Sequence, residues 1–140
     1  MKFRIAACLV GVAAAATLAG AASAHHSFAM FDQKAPKQIS GTVAEFQWTN
    51  PHAFIEIDVP EAGGKAERWS VELNSPNNLK RQGWKRTSLN PGDKTTIVIA
   101  PLRDGKKGGL FVGLTKADGT VLGDPTMKPG VTTNVQRPGA

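Results

Sequence analysis

Two alternating runs, His52-Ala53-Phe54-Ile55-Glu56-Ile57-Asp58-Val59 and Ala66-Glu67-Arg68-Trp69-Ser70-Val71-Glu72-Leu73, are joined by Pro60-Glu61-Ala62-Gly63-Gly64-Lys65. In an extended chain successive side chains point to opposite faces. Ala53, Ile55, Ile57 and Val59 therefore share one face of the first run, and His52, Phe54, Glu56 and Asp58 the other. In the second run Trp69, Val71 and Leu73 lie opposite Arg68, Ser70 and Glu72. Each run reads as a half-buried strand, and the Gly63-Gly64 connection makes the pair a hairpin.

Upstream, Gln38 to Trp48 is β-rich, with Gly41 marking a bulge or sharp bend, and Asn50-Pro51 ends it. Downstream, Ser75 suits a helix N-cap and Pro76 the first helical position; Asn77 to Gln82 continue the helix, and Gly83 stops it. Asn90-Pro91-Gly92-Asp93 is a turn, Lys94 to Ala100 a fourth strand, and Asp104 to Gly109 a polar hairpin loop. Leu110 to Thr115 is a fifth strand, and Ala117 to Thr120 turns into a minor strand at Val121-Leu122. Three strands, a short helix and two strands predict an all-β fold: a small five- to six-stranded OB-like barrel with one short helix between strands 3 and 4. A curled sheet of other strand order satisfies the same pattern, because alternation does not fix pairing.

Lys2 and Arg4, the apolar Ile5 to Gly20 and the small-residue triplet Ala22-Ser23-Ala24 have the layout of a secretory signal peptide. A membrane anchor is the rival reading, but ten alanines between Ile5 and Ala24 make the run weakly apolar. Cys8 follows no apolar stretch, so a lipoprotein box is rejected. The organisation expected is a cleaved leader over 1–24, an arm over 25–37, the barrel over 38–122 and a loose tail over 123–140. Cleavage leaves 116 of the 140 residues, one domain's worth, and losing Lys2 and Arg4 lowers the formal charge from +6 to +4. The remaining chain holds no cysteine, which excludes disulfides, thiol catalysis and thiolate metal sites in an expected periplasmic location.

The expected cleavage exposes His25-His26. An N-terminal histidine presents its α-amine and ring Nδ1 to one metal, and a further imidazole completes a three-nitrogen, tetragonal set that suits Cu(II). The chain has three histidines, so the candidate copper ligands are His25, His26 and His52. Cleavage after Ala22 would instead leave Ser23-Ala24-His25, which also binds Cu(II) through amine, amides and imidazole. Chance adjacency of two histidines, and a strand-capping role for His52, are the bland readings. A closed zinc site would need a carboxylate such as Glu56, Asp58 or Glu72, residues more simply read as solvated strand positions.

Glu56 and Asp58 share a strand face, yet opposite Arg68 or Ser70 they are ordinary cross-strand partners rather than an acid/base pair. No phosphate loop, dinucleotide fingerprint or nucleophile elbow is present, so no enzyme is expected, and a copper redox enzyme ranks lowest. Lys80, Arg81, Lys85 and Arg86 cluster around the helix and Trp84, with Lys106 and Lys107 in a later loop. The four are the candidate surface for an envelope protein or an anionic polymer, and an exported address argues against nucleic acid. Phe46, Trp48, Phe54 and Trp69 are expected in the core or at its rim.

Several short stretches together resemble a family. They are the A-x-A end of the leader, H-H-S-F at 25–28, Phe31-Asp32, G-T-V at 41–43 and W-T-N-P-H at 48–52. To these add W-S-V-E-L at 69–73, S-P-x-x-L at 75–79, Gly83-Trp84, N-P-G-D at 90–93 and P-L-R-D-G at 101–105. The chain is similar over His25 to about Leu122 to the small exported bacterial proteins grouped as domain of unknown function 6152. The resemblance implies a compact periplasmic β-barrel and brings neither an activity nor catalytic residues.

Overall fold

The computed structural model describes residues 28–123. The chain divides into two units between Met30 and Phe31. In the first, Phe28 and Ala29 are helical, and Phe28 and Met30 are exposed. The second holds β1 (Lys37–Gln47), β2 (Phe54–Pro60), β3 (Ala66–Glu72), α1 (Pro76–Arg81), β4 (Lys94–Pro101), β5 (Gly108–Lys116) and β6 (Val121–Gly123).

The strands form one sheet in the order β3-β2-β1-β4-β5-β6, and β3 also pairs with β5. That last pairing is parallel, joins Ser70, Val71 and Glu72 to Gly108, Gly109 and Leu110, and closes a five-stranded barrel. The long β1 serves both halves: Lys37 to Thr42 pair with β4, and Thr42 to Gln47 with β2. Between them the β1–β2 register slips from Val43 to Glu45, a bulge that bends the strand. Val43 there donates to the Asp93 carbonyl and accepts from the Gly92 N–H, each at 2.8 Å, so the Asn90–Asp93 turn docks on the bend.

Gly41, expected as a bulge or sharp bend, marks a close approach, and the bulge itself lies at Val43–Glu45. A Cβ at Gly41 would stand 2.2 Å from the Asp58 carbonyl oxygen, so only glycine lets β1 cross β2 there.

Alternation sends Val43, Ile55, Ile57, Trp69, Val71, Ile97, Ile99 and Leu114 into the barrel, and Leu73, Leu79, Trp84 and Leu89 join the same apolar cluster. α1 starts where expected: Ser75 Oγ accepts the Asn78 N–H, Pro76 follows it, and Gly83 beyond the last turn takes φ +86°. Pro76 and Leu79 bury the helix's apolar side, and Trp84 N–H returns to the Leu79 carbonyl at 3.0 Å. Trp48, Trp69 and Trp84 are buried, Phe46 packs edge-on to Trp48 at 5.5 Å, and Phe111 packs edge-on to Trp84 at 5.3 Å.

Most strand ends shift by one residue and β2 starts at Phe54 rather than His52, but two boundaries differ in what they mean for the fold. β5 begins at Gly108 rather than Leu110, because Gly108 and Gly109 are sheet residues and not loop. The segment read as an arm to Lys37 is tied to the barrel from Phe31 onward: Phe31 is buried and bridges Leu102, and Asp32 N–H reaches the Pro101 carbonyl at 2.8 Å. A single large apolar side chain flanked by polar residues gives no periodicity, so a local reading of the arm does not find it. Among the described residues no helix is long and apolar enough to cross a membrane. The leader and most of the tail lie outside the described residues.

Candidate functional site

The β1–β2 connection carries the one histidine that the structure describes. Its Asn50–Pro51 peptide is cis, and Thr49 Oγ1 donates to the His52 carbonyl at 3.0 Å. On the far side, Ala53 N–H bonds the Asn74 carbonyl at 3.1 Å and Leu73 N–H the Ala53 carbonyl at 2.9 Å. His52 is therefore held against the end of β3 before its side chain makes any contact.

Its ring Nδ1 contacts Glu72 Oε1. The histidine side of this contact is 41% exposed and the glutamate side 22%. A carboxylate only accepts, so Nδ1 donates in this contact, and the tautomer it selects keeps the lone pair on Nε2. Nε2 has no hydrogen-bond partner among the described residues. Glu72, expected as a solvated strand position, is instead the partner of His52. The hairpin register, Phe54 opposite Glu72 and Glu56 opposite Ser70, makes it the diagonal same-face neighbour of His52. Counting back from the Gly63-Gly64 turn was the signal that could have found it.

Glu72 belongs to a wider face. The outward positions of β1, β2 and β3 are Glu45 and Gln47, then Phe54, Glu56 and Asp58, then Arg68, Ser70 and Glu72. Arg68 grips Asp58 through Nε at 2.6 Å and a second nitrogen at 3.2 Å. That guanidinium holds the Asp58 carboxyl below its usual range, and Asp58 in turn raises Arg68. Ser70 Oγ donates to Glu56 at 2.6 Å, so both acids of the candidate pair have cross-strand partners. OB barrels commonly take oligonucleotides or oligosaccharides on the β2–β3 face. Here a phosphate chain would meet four carboxylates and one guanidinium.

Basic residues fall into two kinds of surroundings. On the β4–β5 loop Lys106 pairs with Asp104 at 3.2 Å, and Arg103 lies 3.6 Å from Asp32. Lys107 pairs with Glu67 at 2.6 Å and lies 5.3 Å from the Trp69 ring centre. Lys80, Arg81, Lys85 and Arg86 are all exposed and form no ion pair among the described residues. Arg81 bonds the Asn78 side chain at 3.1 Å, and Arg86 reaches the Trp48 carbonyl at 3.5 Å.

His25 and His26 lie outside the described residues, so the three candidate ligands are represented by His52 alone. Among the described residues no three His, Cys, Asp or Glu side chains gather as a metal centre.

The barrel closure, the helix between β3 and β4 and the polar β2–β3 face define a small OB-like domain. The chain belongs to DUF6152, a family of unknown function, whose model matches residues 13–112. No curated protein matches it. Among solved structures it is similar to a mitochondrial single-stranded DNA binding protein, Rim1, from S. cerevisiae. The two are 10% identical, the match covers 59% of this chain and 92% of that one, and the TM-score is 0.45.

Proposed function

We propose that the protein is an exported, periplasmic metal-binding barrel, for copper, acting as carrier, sensor accessory or sequestering protein rather than as an enzyme. His25, once the leader is removed, supplies its amine and ring, and His52 or His26 supplies the remaining imidazole. The observation that carries this reading is the His52–Glu72 contact. Metal-bound histidines characteristically hand their second ring N–H to a carboxylate, which fixes the tautomer and raises the basicity of the ligating nitrogen. With Nδ1 so engaged, Nε2 is the atom offered to a metal. Two further nitrogens from His25 would make a three-nitrogen set of the tetragonal kind that suits Cu(II).

Native mass spectrometry on protein exported through its own leader tests this with one equivalent of Cu(II) and a competing chelator. Intact mass reads the terminus in the same spectrum. Retention of one copper on a His25 terminus is expected. Glu72→Gln should weaken binding about tenfold, the lower end for loss of a carboxylate behind a ligand, and His52→Ala by more. A His25 terminus that surrenders all its copper sinks the reading, and unchanged affinity in His52→Ala removes His52 from the site.

A further inference from the structure

The stretch from Leu73 to Pro91 contains four cations and no Asp or Glu; the nearest acids are Glu72 and, beyond Gly92, Asp93. Every cation of this stretch is exposed: Lys80 and Arg81 in the last turn of α1, Lys85 and Arg86 just past it. Between them Trp84, 3% exposed, plugs into the core and pins the loop through its N–H to Leu79. Lys80 and Arg86 are six positions apart, so the Cα atoms of the four cations fall within about 22 Å even if that chain were fully extended. The geometry points to this helix end as an electrostatic docking surface for an anionic phospholipid bilayer, independently of whether the protein binds metal.

Why a bilayer rather than a polymer chain follows from what the pole lacks. Binding of single-stranded or sugar chains typically uses a groove with exposed aromatics on which rings stack. The aromatic here is buried, and the open groove of about 500 Å³, lined by Ser40, Thr42, Lys94, Thr96 and Thr115, lies on β1, β4 and β5 instead. Pro76, Leu79 and Leu89 are buried too, so the pole has charge without an apolar wedge. Delocalised attraction to a charged plane needs neither, and each Lys or Arg near an anionic leaflet contributes independently of fine geometry. The basic β4–β5 loop differs because its cations are already neutralised by Asp32, Glu67 and Asp104.

The test is co-sedimentation with vesicles of phosphatidylcholine holding about a third phosphatidylglycerol, an anionic surface of the kind polybasic segments recognise. Protein expressed from the full-length sequence is used, with its terminus read by intact mass. Pure phosphatidylcholine vesicles measure any partitioning of the apolar N-terminal stretch, and that background is subtracted. Binding is expected at about 10 mM salt and largely lost at about 100 mM, as the screening length falls from roughly 30 to 10 Å. Replacing Lys80, Arg81, Lys85 or Arg86 singly by Gln should weaken it about fivefold, and the quadruple change should abolish it. The Lys106→Gln, Lys107→Gln variant should bind as the parent does. Circular dichroism confirms that each variant folds, the substituted side chains being exposed. Absence of binding at low salt, or a quadruple variant that binds like the parent, overturns the proposal. Tighter, equally salt-sensitive capture by polygalacturonate than by vesicles overturns it in favour of an acidic polymer.

Discussion

The β2–β3 and β4–β5 hairpins are both antiparallel, yet side chains shape the first and the absence of side chains shapes the second. In β2–β3, Ile55, Ile57, Trp69 and Val71 fill the interior while charged residues alternate with them outside. In β4–β5, Ile97 to Ala100 are buried without alternation, and Gly108 and Gly109 bring β5 against both β3 and β4. A Cβ at Gly109 would lie 2.5 Å from the Ala100 carbonyl oxygen, and one at Gly108 would lie 2.7 Å from that of Ser70. Alternation builds a sheet with one wet face, whereas closing that sheet into a barrel needs backbones nearer than a methyl group allows.

Gly109→Ala is accordingly expected to have the largest effect, destabilising the protein by about 3 kcal/mol in urea unfolding, the upper end for forced overpacking. The obstacle is a carbonyl oxygen rather than the end of a flexible side chain, so little can relax. Gly64→Ala is the control: nothing stands within 4 Å of its Cβ, and only its φ of +79° resists substitution. That strain should cost about 1 kcal/mol. A Gly109 variant no less stable than the Gly64 variant would show that closure does not depend on contact at this point.

The same contrast explains what could be read from the sequence. The β2–β3 hairpin was legible because burial on one face imposes a period of two, and α1 because its Ser75-Pro76 start and Gly83 end act locally. Gly108 and Gly109 look like loop in the sequence, since glycine marks a turn and a close backbone approach identically in a one-dimensional string. Which of the two applies depends on Ser70 and Ala100, one far away in sequence and neither carrying a local sign. Of the candidate site, His52 was legible by residue type, while Glu72 beside it needed the register. The exposure of the four helix-end cations was readable. Their lack of carboxylate partners, against the fully paired β4–β5 loop, depended on where distant acids fall.

A second, smaller effect tests how the β1 bend is held. Asp93 accepts the Asn90 N–H at 3.0 Å and pairs with Lys116 at 3.0 Å, and these contacts, the backbone one first, hold its carboxyl below the usual range. A depressed carboxylate adds stability above its unfolded pKa near 3.9, and that stability is lost as pH falls through the lower folded value. The acid limb of the stability curve should therefore steepen below about pH 4 in the parent and flatten in Asp93→Asn. At neutral pH the substitution should cost about 1 kcal/mol, since the amide keeps the turn but loses the charge-assisted bonds. An unchanged acid limb would mean that the Asn90–Asp93 turn holds the bend through its backbone bonds to Val43 alone.

The smallest effect is expected on the outer face of the better-read hairpin. Arg68 and Asp58 make the best-formed ion pair there, with two nitrogens on one carboxylate, and both side chains are substantially exposed, 54% and 40%. Exposed pairs gain little, because water already solvates both charges and holding two long side chains together costs entropy. The register of this hairpin is set from inside instead, since a one-residue slip would turn Ile55, Ile57, Trp69 and Val71 out to solvent. Arg68→Ala should leave the urea midpoint unmoved and insensitive to salt. A loss comparable to that of Asp93→Asn would instead show that the charged face helps to set the register. The split between an interior that determines the fold and an outer face free to serve binding would then fail at its most favourable point.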